Sequence, residues 1–261
     1  MSGPGTTIER REYKYLIDRS TAAALRAAIR PFCALDRFAA SSPTHSYTVE
    51  TLYLDTPALG LFWANDHETV DRIKVRVRGY VEDPRTVFLE VKRRINDMIS
   101  KTRAPIARAQ LYALLSDPAA PIPADTAGRD RASVERFLSI ARTLHLRPYT
   151  LVRYRREPWV STIDDYARVT FDTNICAQAT EQFGFDATPT RWRALDDAIT
   201  QRTLESMTVL ELKFTNFVPW WMINVVRNFG LVRRSFSKYG TSIRALYEPV
   251  DTRTPRVGGW R

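Results

Sequence analysis

Histidine and cysteine are scarce in this 261-residue chain, with three of the first and two of the second. Cys33 and Cys176 stand apart with no metal-ligand spacing, which excludes a zinc ribbon or a disulfide framework and fits a reducing compartment. His45, His67 and His145 are scattered, and no serine or cysteine motif accompanies them, so a nucleophilic triad finds no support. The chain also lacks a G-x-x-x-x-G-K-S/T phosphate loop, and SKYGTS near the C-terminus does not substitute for one. No run of about 18 apolar residues occurs, and the opening MSGPGTTIERREYKY has no apolar signal region, so a soluble, cytoplasmic domain is expected. No internal repeat of solenoid length is present.

What the chain does have is positive charge. Lysine plus arginine outnumber aspartate plus glutamate by 39 to 29, for a formal charge of +10 and a pI near 9.8, and this implies an anionic partner. The sign alone leaves nucleic acid, an acidic membrane surface and phosphorylated small molecules open. With 44% hydrophobic residues the chain can bury a sizeable core. We read it as one domain over residues 6–248, followed by a flexible tail at 249–261 that has no periodicity.

Apolar and charged residues alternate with period two from Arg10 to Ile17, Thr48 to Leu54, Arg72 to Tyr80, Thr86 to Arg93, Leu151 to Trp159, Ala167 to Phe171 and Thr208 to Phe214, which predicts at least seven strands. Helical character lies between them. Ser20 or Thr21 caps a run to Ile29, Pro105 opens a first turn leading to Leu115, Ser133 to Leu144 carries helical spacing, and Pro219 to Asn228 is stopped by Gly230. The Pro-, Ala- and Asp-rich stretch from Asp117 to Asp130 reads as a loop.

The chemistry is written on the strands. Lys74, Arg76 and Arg78 alternate with Ile73, Val75 and Val77, so three cations leave one strand face within about 14 Å. A Glu-x-Lys pair recurs on three separate strands, as Glu12 with Lys14, Glu90 with Lys92 and Glu211 with Lys213. Tyr154 with Arg156, and Arg168 with Thr170 and Asp172, continue the polar pattern. Any one of these could be a half-buried antiparallel strand with its polar face in water. Their recurrence favours polar faces converging inside a barrel, with apolar faces turned outward beneath helices, an inversion of the usual arrangement. Cations so gathered repel by up to about 4 kcal/mol per close pair at an effective dielectric near 20, so interspersed carboxylates and an anionic guest are required.

The segments RREYKYLI, TLYLDTP, RIKVRVRGY, FLEVKRR with SKTR, LVRYRREPW, RVTFDT, VLELKFT and RRSFSKYGTSI, in that order and spanning nearly the whole chain, resemble the VTC domain of polyphosphate polymerases, within the triphosphate tunnel metalloenzymes and their CYTH-type relatives. The resemblance implies an α+β fold, a closed antiparallel β-barrel or tunnel with a basic interior flanked by helices. By position, it assigns phosphate-binding cations to Lys14, Arg76, Arg78, Lys92, Lys101, Arg156, Arg168 and Lys238, and hydroxyl donors to Tyr154 and Ser237. Glu211 takes the place of the metal-binding glutamate, with Glu12 and Glu90 as helpers on neighbouring strands. Arg10 and Lys74 share faces with these residues but are left outside the assigned site.

These residues suit phosphoryl transfer, in which a Mg²⁺ or Mn²⁺ ion on carboxylate oxygen would assist cations gripping a triphosphate. The expected reaction moves the γ-phosphoryl of ATP onto a growing polyphosphate. A hydrolase of triphosphates or a non-catalytic polyphosphate sensor would use nearly the same residues. Nucleic acid is not expected as the main ligand, because strand aromatics such as Tyr13, Tyr80 and Phe88 are more often core than base platforms. The resemblance also implies a possible membrane-protein partner, which no residue here specifies.

Overall fold

A computed structural model describes residues 11–247 apart from positions 97, 125, 165 and 216. The C-terminal tail, the first residues of the expected domain and Arg10 therefore lie outside the described residues. Ten strands follow in chain order: β1 (Arg11–Ile17), β2 (Cys33–Leu35), β3 (Tyr47–Asp55), β4 (Asp71–Tyr80), β5 (Asp83–Ile95), β6 (Met98–Ala107), β7 (Arg147–Ser161), β8 (Ala167–Ala179), β9 (Arg193–Ala194) and β10 (Thr208–Phe214). Among the described residues eight α-helices accompany them: α1 (Arg19–Ile29), α2 (Arg37–Ala40), α3 (Gly60–Asp66), α4 (Leu111–Ser116), α5 (Gly128–Thr143), α6 (Ala198–Gln201), α7 (Trp220–Asn228) and α8 (Lys238–Tyr247).

All strand pairings are antiparallel, in the order β1-β10-β8-β7-β3-β4-β5-β6, with β2 added on β7 and β9 on β8. The sheet curls into a half-barrel. Among the described residues β1 and β6 do not pair, so the ring is not completed by strand hydrogen bonds as a fully closed barrel would require. Instead the segment after α7 runs along the β1 edge: the Arg234 N–H donates to the Lys14 carbonyl at 3.1 Å, and Lys14 Nζ donates to the Phe236 carbonyl at 3.2 Å. An edge covered in this way is no longer a template for other chains.

The apolar faces point outward, as the alternation predicts. Val75, Val77, Leu89 and Val91 of β4 and β5 pack under α4 and α5 through Leu111, Leu114, Val134 and Phe137. Tyr15, Val169, Phe171, Leu210 and Leu212 of β1, β8 and β10 pack under α1 and α7 through Leu25, Ile29, Trp221 and Met222. A third cluster lies on the concave side, where Tyr53, Val152, Tyr154, Ile175 and Val209 receive Phe236, Tyr239 and Ile243 at and within α8. Burying such side chains stabilises the fold by about 1.5–3 kcal/mol each.

Several local expectations need correction. Pro105 does not open a helix but sits within β6, opposite Phe88. Because β6 is an edge strand, proline's missing N–H costs no ladder bond there. The helix follows at Leu111 after one 3₁₀ turn. Helix α1 is capped by Asp18, whose Oδ1 accepts the Thr21 N–H at 2.6 Å, rather than by Ser20 or Thr21. Strand β8 continues eight residues past Phe171; the register against β7 shifts between Arg153 and Arg155, and Asn174 takes φ +52°, which breaks the alternation. Helix α5 begins at Gly128, inside the expected loop.

Candidate functional site

The concave face gathers the charges that the sequence scatters. On β10 and β1, Lys14 lies opposite Glu211 and Glu12 opposite Lys213. The Glu211 carboxylate is buried, with Lys213 at 2.9 Å, Arg156 at 3.3 Å, Lys238 at 3.5 Å and Lys14 at 3.7 Å. Glu12 lies 3.2 Å from Lys14 and 3.8 Å from Lys213. On β8, Asp172 takes a forked pair from Arg156, both bonds 2.7 Å, and a bond from Lys238 at 2.6 Å. Tyr154 lies beneath these cations, its ring centroid 4.5 Å from Lys238 Nζ and 5.3 Å from the Arg156 guanidinium.

A second focus forms on β4, β5 and β6. Glu90 is 1% exposed and is ringed by Arg76 at 2.7 Å, Lys101 at 3.4 Å, Arg103 at 3.6 Å and Arg78 at 3.7 Å. Arg76 also reaches the Tyr53 hydroxyl at 3.4 Å. Between the two foci lie Lys74 and Lys92, directly opposite one another. Among the described residues neither forms an ion pair; Lys74 Nζ donates instead to Ser237 Oγ at 3.4 Å. Ser237 in turn accepts the Gly240 N–H at 3.1 Å and so caps α8, whose N-terminal backbone adds positive potential at the place Lys238 enters the cluster.

The titration behaviour reports the same convergence. Burial, Lys14, Lys92 and Arg76 together bring the Lys74 ammonium down to about 7, with Glu12 opposing. Burial also lowers Lys92, which Glu12 partly offsets while Lys14 and Arg76 add to the depression. Strands β1 and β5 stand six positions apart along the sheet, so side chains on them influence one another only because the sheet curls. Burial and Glu211 push Glu12 up, yet Lys14, Lys213 and Lys92 outweigh them and hold it at about 2. Burial opposes ionisation of Glu211 and Asp172 too, and their cations hold both below the carboxylate range. Asp172 and Glu211 likewise keep Lys238 above the ordinary lysine value despite its burial.

Of the residues named from sequence, Lys14, Arg76, Arg78, Lys92, Lys101, Arg156, Lys238, Tyr154, Ser237, Glu12, Glu90 and Glu211 lie in or against this network. Arg168 is on the same strand face as Thr170 and Asp172 but is exposed, opposite Lys213 at the end of β8, with its guanidinium 5.4 Å from the Tyr166 ring. Four residues that the sequence reading left unassigned belong to the network: Lys74, Arg103, Asp172 and Lys213. Period two was the signal for each, since Lys74 shares a face with Arg76, and Arg103 with Lys101. A cavity of about 300 Å³ opens beside Lys74 and Lys92 toward α3 and α8, lined also by Arg72, Arg94, Ser237 and Arg244.

A curled antiparallel sheet with a buried, cation-dominated concave face places the chain in the class of tunnel folds. The particular family is given by comparison: the VTC domain profile matches residues 9–247, and the chain belongs to the VTC domain family. No curated protein matches the chain. Among solved structures it is similar to a provisionally named adenylate cyclase of Bacillus halodurans, at 11% identity over 92% of this chain and 99% of that one, with a TM-score of 0.48. It is similar to a provisionally named adenylyl cyclase of Hippeastrum with a dominant triphosphatase activity, at 13% identity over 92% and 98%, TM-score 0.49. A protein of Pyrococcus horikoshii aligns at 10% identity over 90% and 98%, TM-score 0.43. Family membership gives the chain a polyphosphate- or triphosphate-related function. Among the described residues no helix is long and apolar enough to cross a membrane.

Proposed function

We propose that this domain is a polyphosphate polymerase that transfers the γ-phosphoryl of ATP to the end of a phosphate chain held in the concave site. One observation carries the reading. Ten cations, Lys14, Lys74, Arg76, Arg78, Lys92, Lys101, Arg103, Arg156, Lys213 and Lys238, surround four carboxylates, Glu12, Glu90, Asp172 and Glu211, and the excess awaits an anion of high charge density. Such a field would be unfavourable in an enclosed space without that guest.

In this reading Arg76, Arg78 and Arg156 hold phosphate oxygens by forked hydrogen bonds, while Lys14, Lys92, Lys101 and Lys238 act as compact charges. Arg168 extends the track to solvent. A terminal oxygen of the chain forms the new bond to the γ-phosphorus as the bond to the β-bridging oxygen breaks, ADP leaves, and the chain grows by one phosphate. No side-chain nucleophile is needed, and the residues act by positioning and by offsetting charge on the leaving oxygen.

The donor set fits a divalent ion. Glu211 lies close enough to Glu12 to raise its affinity for protons, and Mg²⁺ or Mn²⁺ commonly uses one or two carboxylates plus substrate phosphate oxygens. Among the described residues no group of three or more acidic, histidine or cysteine ligands exists, so phosphate would complete the shell. Glu211, with Glu12 beside it, would hold such an ion, which would supply Lewis-acid polarisation of the reacting phosphoryl. Glu90 stands in the other focus, ringed like Glu211 by four cations but away from the Glu12–Glu211 pair, and is better read as counter-ion to Arg76, Arg78, Lys101 and Arg103 than as a ligand.

Hydrolysis is the second reading, and Lys74 favours it: an amine near neutrality can take a proton from attacking water, which a chain oxygen does not require. Incubating the purified protein with ATP and Mn²⁺ or Mg²⁺ and resolving products by size separates the two. Chains longer than the donor triphosphate support polymerisation; orthophosphate without chains overturns it in favour of hydrolysis.

A further inference from the structure

The cavity beside α3 and α8 contains a feature that a site for a triphosphate alone does not need. Strands β4 and β5 place like charges directly opposite one another on two successive rungs, Lys74 against Lys92 and Arg72 against Arg94. Like charges directly opposite are destabilising in a sheet. The inner rung belongs to the network described above, whereas the outer rung lies one strand repeat, about 6.8 Å, further along the same face. All four side chains line the cavity of about 300 Å³. Two carboxylates also face it, Glu68 and Asp66, the latter engaged by Arg244, and Arg94 Nε donates to the Asn96 carbonyl at 2.7 Å.

We infer that this cavity is a separate subsite for the distal part of a linear polyphosphate, so that the chain leaves the concave site over the Lys74–Lys92 and Arg72–Arg94 rungs between α3 and α8. The inference rests on the tunnel being a phosphate-chain site and adds a direction and a length preference to it. Evenly spaced positive rungs suit a ligand with evenly spaced negative charge. The α8 end of the cavity offers hydroxyls as well, through Ser237 and Thr241. A triphosphate bound between the Glu90 and Glu211 foci would not extend to Arg72 or Arg94, whereas a longer chain would.

The test compares affinities of the full chain for tripolyphosphate and for long-chain polyphosphate at matched salt. Wild type should hold the long chain more tightly. Arg72→Ala combined with Arg94→Ala should weaken long-chain binding by about a hundredfold, near tenfold per charge-assisted contact, and change tripolyphosphate binding less than about twofold. Arg72→Gln alone, which leaves the β5–β6 turn untouched, should lose about tenfold on the long chain only. Equal losses on both ligands would place the cavity inside the triphosphate site, and no loss on either would remove it from the path; each result overturns the inference. Wild-type protein that binds neither ligand would overturn the tunnel reading itself.

Discussion

Replacing Lys74 by methionine removes the one charge whose state should depend most on whether an anion is bound. In the free protein, burial with Lys14, Lys92 and Arg76 brings the ammonium to about 7, and Glu12 is the acidic group that opposes them. Its nearest polar partner is the Ser237 hydroxyl. At pH 7 Lys74 is therefore about half protonated. A bound phosphate chain supplies the missing negative charge and returns the ammonium to the ordinary lysine range or above. Binding then takes up about half a proton at pH 7 and nearly a full one at about pH 8.5. Because the bound form holds the proton more tightly, affinity is greatest below about pH 7 and falls as pH rises, by up to about tenfold per unit until the bound value is reached. Calorimetric titration with tripolyphosphate, in two buffers of different ionisation enthalpy, measures the uptake directly. The end phosphates of the ligand titrate in both proteins, and so does Lys101, which burial and its arginine neighbours bring to about 8 against Glu90. The difference between wild type and Lys74→Met thus isolates Lys74. Equal proton uptake by the two proteins at both pH values would refute the placement of Lys74 in the anion's field.

Other substitutions read other parts of the network. Glu211→Gln leaves Lys14, Lys213, Lys238 and Arg156 without their shared carboxylate; stability without ligand should fall by about 3–5 kcal/mol in denaturant titration, tripolyphosphate should restore part of it, and turnover should be lost. Unchanged turnover would remove the metal assignment. Arg76→Ala with Arg78→Ala leaves buried Glu90 with Lys101 and Arg103, so tripolyphosphate affinity measured by calorimetry should drop by about a hundredfold and the melting temperature should fall as well. Glu12 is held at about 2 by Lys14, Lys213 and Lys92 against burial and Glu211, so its contribution to stability is fully present above about 4.5 and lost as pH falls through about 2. Denaturation of Glu12→Gln beside wild type should show a gap at pH 6 that closes by pH 2. Asp55→Asn should cost about 2–3 kcal/mol in the same assay, because the buried Asp55 accepts the Thr56, Leu61 and Phe62 N–H groups and the Tyr239 hydroxyl that tie β3 to α3 and α8.

Period two made the strands legible wherever one face is polar and the other packs under a helix, and β10 begins and ends where its alternation does. The same rule placed Arg76, Arg78, Lys92, Arg156 and Glu211 on inward faces before any geometry was known. It failed where a backbone feature broke the period, as in β8 at Asn174, or where an edge strand tolerates proline, as in β6. Lys74 was visible on the right face, yet nothing in the sequence separates a lysine without a carboxylate partner from one with such a partner; only the curl of the sheet does. Helix α8 was missed because both of its ends resist pattern reading. It starts on a buried lysine, and between the apolar Tyr239 and Ile243 that it buries lie Gly240 and Ser242, too small or polar to extend a stripe.

That missed helix explains how an inverted barrel remains folded before its ligand arrives. The concave face is not charged throughout: toward one end it turns apolar, and Tyr53, Val152, Tyr154 and Val209 hold Phe236, Tyr239 and Ile243 there in a buried contact. Tyr53 and Tyr239 stack with ring centroids 4.8 Å apart, and Asp55 secures the Tyr239 hydroxyl. The contact fixes the start of α8, so Lys238 meets Asp172 and Glu211 without depending on a bound anion, and Ser237 is held within reach of Lys74. Apolar burial at one end of the face therefore supplies the rigidity with which the other end holds an unbalanced charge. Tyr239 also lines the cavity between α3 and α8, so the aromatic plug forms one wall of the space in which the proposed anion would lie.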